Sequence, residues 1–296
     1  MPFYRQRWQG TRPDVTAGLV VLVFALIALT VHATVRQAFA TESRWQVLEP
    51  GLSLGIFPAT RASQFGDSLI RVLRIDPHRF ELRLLNASAP GKNQRLTPKE
   101  WCQNNGLVAA INASMYQKDL LTSVSLMRTK THTNNSRLSK DNTILAFDRQ
   151  APDVPLVRII DRECEIFDDW KHKYGTLVQS IRMISCARTN VWMPQEEKWS
   201  TAAIGIDHAG RVLFIHVRSP YSTHDLINIL LELPLEISRA MYVEGGPEAQ
   251  LYVKSGEQEY EFLGRYDMGL SETVDFEFAL QIPNVVGVAP RRSPVK

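Results

Sequence analysis

Three features of the chain point to an α+β domain with a mixed, mostly antiparallel sheet, packed helices and one N-terminal transmembrane or signal helix. Many short runs alternate polar and apolar residues, a few segments carry helical apolar spacing, and one uncharged apolar stretch lies near the N-terminus. At 296 residues, 44% of them hydrophobic, the chain can bury a sizeable core. A formal net charge of +3, without dense basic clusters, argues against nucleic acid as a partner.

The apolar stretch covers residues 15–31, VTAGLVVLVFALIALTV. As a helix it would be about 26 Å long, enough for a thin bilayer core. Arg5, Arg7 and Arg12 precede it, which orients the N-terminus toward the cytoplasm and the body outward. Ala38-Phe39-Ala40 offers an A-x-A cleavage pattern. The expected location is the cell envelope: anchored in the inner membrane facing the periplasm, or secreted to the periplasm if cut after Ala40. The expected organisation is a signal anchor or peptide over 1–40, N-terminal strands over 41–100, the main domain over 101–290 and a tail over 291–296.

Within the body, LIRVLRI and FELRLL flank Asp76-Pro77 and alternate as half-buried strands do. Thr97-Pro98-Lys99-Glu100 reads as a helix start with a capping box, and Gly106 as its stop. LVAAIN, residues 107–112, is a short apolar strand. Residues 202–206 and 212–217 flank the turn Asp207-His208-Ala209-Gly210 as a hairpin. THDLINILLEL, residues 223–233, has helical spacing and ends at Pro234. Residues 241–243 form a strand running into Glu244-Gly245-Gly246.

Three places combine a strand end with polar side chains. Asn112 closes an apolar strand and can donate and accept toward a sugar, or simply shape a turn. Glu244 precedes two glycines that permit close ligand approach; it is either an acid, base or nucleophile, or an incidental turn residue. Arg182 and Arg218 could each grip a phosphate bidentately or form a structural ion pair. His216 and His224 are either acid–base groups or packed, hydrogen-bonded side chains. Cys102, Cys164 and Cys186 lack metal-ligand spacing; one pair could form a disulfide outside the cytoplasm, or all three could be small buried residues. There is no G-x-S-x-G elbow, P-loop or H-E-x-x-H.

Taken in order, four landmarks resemble the phosphodiester glycosidase family from about Trp101 to the C-terminal region. They are Ala110-Ile111-Asn112-Ala113-Ser114-Met115-Tyr116, Thr201-Ala202-Ala203-Ile204-Gly205-Ile206-Asp207 with Arg218 on the next strand, Met241-Tyr242-Val243-Glu244-Gly245-Gly246, and the closing run 284–288. The family usually has Asp where Glu244 stands, a Gly-Ser-Ser-like run where Pro247-Glu248-Ala249 follows, and Arg where Ser200 stands. The resemblance implies hydrolysis of sugar-1-phosphate diester bonds in envelope or exported glycans. It assigns catalysis to Glu244, Asn112, Arg182 and Arg218, and substrate binding to Gln179, Thr201, His216, Gly245 and Gly246. No cofactor is required by the sequence; a divalent cation is conceivable only if the fold joins Asp207 to Glu244. The expected partner is a phosphodiester-linked glycan or small sugar phosphate, with the membrane met through the N-terminal segment. The rival expectation is a non-catalytic envelope module that binds polysaccharide or serves as a membrane-anchored structural protein.

Overall fold

The computed structural model describes residues 44–92, 94–265 and 278–292. From Trp45 onward the chain forms one compact unit. The first four strands are β1 (Trp45–Glu49), β2 (Leu52–Pro58), β3 (Leu69–Ile75) and β4 (Phe80–Asn86). After helix α1 (Pro98–Asn105) come β5 (Ala109–Asn112), β6 (Met127–Arg128), β7 (Thr133–Asn135), β8 (Thr143–Arg149), β9 (Arg158–Asp161) and β10 (Tyr174–Ile184). The hairpin β11 (Trp199–Asp207) and β12 (Val212–Tyr221) leads into α2 (Thr223–Glu232). The chain closes with β13 (Ile237–Gly245), β14 (Gln250–Ser255), β15 (Gln258–Leu263) and β16 (Asn284–Pro290).

These strands build two antiparallel sheets. The larger has eleven strands, ordered β1-β2-β3-β12-β11-β13-β10-β6-β7 with β8 and β9 attached beside β10; the smaller is β15-β14-β5-β16-β4. One apolar core is shared between them: Leu73, Phe214, Ile204 and Val243 come from the large sheet, and Leu82, Ile111, Leu251 and Val286 from the small one. Alternation along each strand supplies this inner face.

The two α-helices cover the outer faces. α2 lays Leu226, Ile229 and Leu230 on the large sheet, and α1 lays Trp101 and Cys102 on the small one. The capping box expected at α1 is present: the Glu100 N–H donates to Thr97 Oγ1 at 3.2 Å, the Thr97 N–H donates to Glu100 Oε2 at 2.8 Å, and Gly106 closes the helix at φ 62°. The hairpin over 202–217 also forms.

The α+β expectation of a mixed sheet with packed helices is corrected. Every paired strand among the described residues is antiparallel, and two short α-helices accompany sixteen strands. Strands with single-residue alternation and tight turns dominate, because each sheet buries one face against the other and needs little helical cover. The expected membrane segment over 15–31 lies outside the described residues; among the described residues no helix is long and apolar enough to cross a membrane. β3 and β4, neighbours in sequence, do not pair: β3 joins β12 in the large sheet and β4 joins β16 in the small one.

Candidate active site

The site forms where the chain leaves the large sheet for the small one. Along β13, Tyr242 pairs with Ala203 and Glu244 with Ala202, leaving Val243 as the extra residue of a bulge. Such a bulge bends a strand end and re-aims its side chains. Gly245 then pairs with Thr201, a 3₁₀ turn spans Gly246–Glu248, and β14 begins at Gln250. A Cβ on Gly245 would sit 1.9 Å from the Tyr242 hydroxyl and 2.8 Å from Trp199 Cδ1, so only glycine lets these rings close on the backbone. Gly246 has φ +66°, the left-handed conformation that glycine adopts without steric cost.

Asn112, 2% exposed, splints the turn from the small sheet. Its Nδ2 donates to the Glu248 carbonyl at 2.8 Å, and its Oδ1 accepts from the Gln250 N–H at 2.8 Å. Both ends of the side-chain amide are thus spent on holding the Glu248 backbone in place.

Four ionisable groups meet here. Burial pushes the Glu244 carboxyl up to about 8; the negative charge of Glu248 adds to the rise, and the Gly245 N–H, donating to Glu244 Oε1 at 3.1 Å, opposes it. Burial also pushes up the Tyr242 phenol, helped by the charges of Glu244 and Glu248. Tyr116 is pushed up to about 12 by burial and then by Glu248 and Glu244, against a lowering pull from Arg95. At neutral pH Glu244 therefore keeps its proton, and both phenols remain hydrogen-bond donors. A protonated carboxyl beside a second carboxylate is a recurrent arrangement for acid catalysis at a sugar. A cleft of about 320 Å³ adjoins the turn, lined by Lys198, Trp199, Ser200, Gly246, Glu248 and Arg265. Two cations thus face the cleft on the Glu248 side.

The other residues named from sequence are placed as follows. Arg182 lies on β10, its Nη1 3.0 Å from Oδ1 of the fully buried Asp161, which also accepts the Cys186 N–H at 3.0 Å. Arg218 is partly buried within β12, and its charge helps lower His216. His216 is fully buried, its Nε2 3.1 Å from the Ala249 carbonyl, and burial drives it down to about 3, so the ring is neutral. Gln179, also fully buried, accepts from the Ser139 N–H at 3.0 Å and donates to the Ser139 carbonyl at 3.1 Å, fastening the 126–141 segment. Thr201 is buried opposite Gly245. His224, in the first turn of α2, donates from Nδ1 to the Trp192 carbonyl at 2.6 Å.

Asp207 does not join Glu244. It sits five positions beyond Ala202 on β11, about 17 Å along the strand. Its carboxylate accepts from the Arg211 N–H at 2.9 Å and Nε at 2.6 Å, closing the hairpin turn. Asp161, Cys164 and Cys186 also cluster, but the two cysteines are joined in a disulfide, so among the described residues no clear metal site is assembled. Cys102 is a buried free thiol.

Glu248, Tyr242, Tyr116, Trp199, Lys198 and Arg265 emerge only in the fold. Glu248 had one visible signal, a second carboxylate directly after the Gly-Gly pair.

A raised carboxyl beside a second carboxylate at a sheet crossing is an arrangement suited to acid chemistry at a sugar. Residues 105–289 match the phosphodiester glycosidase family, and the chain belongs to that family. It is therefore an enzyme of the hydrolase class, in place of the non-catalytic alternative. Comparison with curated protein sequences finds no significant match. Among solved structures, the catalytic domain of zebrafish N-acetylglucosamine-1-phosphodiester alpha-N-acetylglucosaminidase, auto-inhibited by its pro-peptide, superposes with a TM-score of 0.59 at 13% identity, covering 82% of this chain and 85% of that one. A hypothetical protein from Synechocystis gives a TM-score of 0.54 at 12% identity, covering 82% of this chain and 62% of that one. At these identities the two structures speak for the fold alone.

Proposed function

We propose that the enzyme hydrolyses the sugar-1-phosphate diester bonds of an exported or envelope glycan, with Glu244 as the proton donor. The observation that carries this reading is the carboxyl of Glu244, pushed up to about 8 and coupled to the charge of Glu248, which lines a cleft together with Lys198 and Arg265. The phosphodiester occupies the cleft, where Arg265 and Lys198 offset its charge and Trp199 offers an aromatic wall. The anomeric C1–O bond breaks, the proton of Glu244 passes to the departing phosphate oxygen, and water adds its hydroxide to C1. Its remaining proton returns to Glu244, so the products are a free sugar and a phosphomonoester. Glu248 supplies the negative charge that steadies the oxocarbenium-like centre. Tyr116 donates a hydrogen bond to a sugar oxygen.

The Cys164–Cys186 disulfide fits an oxidising compartment, which supports an extracytoplasmic site of action. The test is release of reducing sugar from the methyl diester of N-acetylglucosamine 1-phosphate. Glu244→Gln should lower kcat by about 10²-fold or more. Undiminished turnover by both Glu244→Gln and Glu248→Gln would remove the proposed chemistry.

A further inference from the structure

A second cleft lies beside Trp192. It measures about 490 Å³ and is lined by Ile181, Trp192, Met193, Lys140, Asn142 and Arg182, among others. A tryptophan from each cleft comes close to Tyr242. Trp192 packs on the Tyr242 ring with centroids 6.1 Å apart, while Trp199, from the first cleft, lies against the Tyr242 hydroxyl side at Gly245. Ile181, in the floor of the second cleft, is the cross-strand partner of Tyr242.

The chemistry of the second cleft suits a sugar. Trp192 is held in place by its indole N–H, which donates to the Arg182 carbonyl at 2.6 Å, and its ring supplies an apolar platform. Met193 stands 81% exposed at the rim. The rim carries both signs, with Lys140 as its exposed cation. Arg182 carries five N–H donors, of which Nη1 serves Asp161. Asp141, the acidic member, is occupied by Ser125 and Ser139, each donating to it at 2.6 Å. An aromatic platform with an exposed lysine and arginine N–H donors beside it matches a sugar ring flanked by a phosphodiester.

We infer that the Trp192 cleft is a second sugar subsite, and that the substrate is a phosphate-linked glycan polymer that reaches both clefts and is cleaved at internal bonds. This rests on the proposed hydrolysis at Glu244 and extends it from one linkage to a chain. A small terminal sugar would fill the Glu248 cleft and leave the Trp192 cleft without a role. A polymer fills both, and the remote contacts raise turnover at the bond in the middle.

The experiment compares the methyl diester of N-acetylglucosamine 1-phosphate with its phosphate-linked tetramer, using the full chain. Wild type should show kcat/KM for the tetramer about tenfold above that for the methyl diester. Trp192→Ala and Lys140→Ala should bring that ratio toward one, and Trp192→Phe should restore most of it. A wild-type ratio near one, or a ratio that Trp192→Ala and Lys140→Ala leave intact, overturns the inference. Calorimetric binding of both probes to Glu244→Gln supplies a readout that needs no turnover. Tighter tetramer binding that is lost on adding Trp192→Ala supports the subsite; equal binding of the two probes refutes it. If binding follows chain length while neither probe is hydrolysed by wild type, the catalytic reading fails and the subsite stands.

Discussion

Replacing Glu244 by Gln should change how stability responds to pH more than it changes stability itself. The folded protein holds the Glu244 proton up to about 8, whereas the unfolded chain releases it near 4.5. Between those values the folded state binds more protons than the unfolded one, so stability must fall as pH rises. Each unit of difference is about 1.36 kcal/mol, and the loss between pH 5 and pH 8 comes to roughly 3 to 4 kcal/mol. Partial solvent access to Glu244 makes this an upper bound. Gln keeps the shape of the protonated carboxyl and cannot ionise, so Glu244→Gln should be close to wild type at pH 5 and clearly more stable at pH 8. Urea unfolding at pH 5, 6.5 and 8, with the midpoint and slope fitted at each, measures the difference directly. Parallel curves for the two proteins across that range would show that Glu244 is ionised at neutral pH, and the proton-donor role would fall with it.

Three further outcomes follow from the same geometry. Glu248→Gln removes a negative neighbour of Glu244, so the basic limb of the pH–rate profile should move from near 8 to lower pH; an unmoved limb would separate the two carboxyls. Asn112→Ala leaves the Gln250 N–H and Glu248 carbonyl without their partner, and should cost about 2 to 3 kcal/mol in chemical denaturation together with a fall in kcat. The paired change Cys164→Ser with Cys186→Ser opens a link between residues 22 apart and should cost about 3 kcal/mol, read as a lower urea midpoint that reductant no longer affects.

Local chemistry made several elements legible. Thr97, Pro98, Glu100 and Gly106 each carry a helix-end preference, and the observed cap uses all of them. The glycines after Glu244 announced a tight turn because no other residue tolerates both the Tyr242 contact and the φ of Gly246. Sheet membership was less accessible, since β3 and β4 show the same alternation yet belong to different sheets; β3 pairs with nearby β2 and with β12, whereas β4 pairs with β16, and both of those later strands lie more than a hundred residues away. The polar candidates divided for a similar reason. Asn112 and Glu244 lie at the crossing, whereas Arg182 faces Asp161 and Asp207 faces Arg211, matches set by the preceding strand β9 in one case and a hairpin turn in the other. Tyr116, Trp199 and Arg265 come from three separate stretches, and no spacing in the chain marks them as neighbours of Glu248.

The turn over Gly246–Glu248, tied by Asn112, acts as a clasp between the two halves of the sandwich. A ligand seated against that clasp opposes separation of the halves, so saturation should raise the unfolding temperature of the whole body as a single transition. The same linkage runs in reverse: any substitution that loosens the sandwich far from the cleft also unfastens Glu248 from its carbonyl anchor. Catalytic loss in this enzyme is thus expected to follow global destabilisation closely, even for changes buried well away from the substrate.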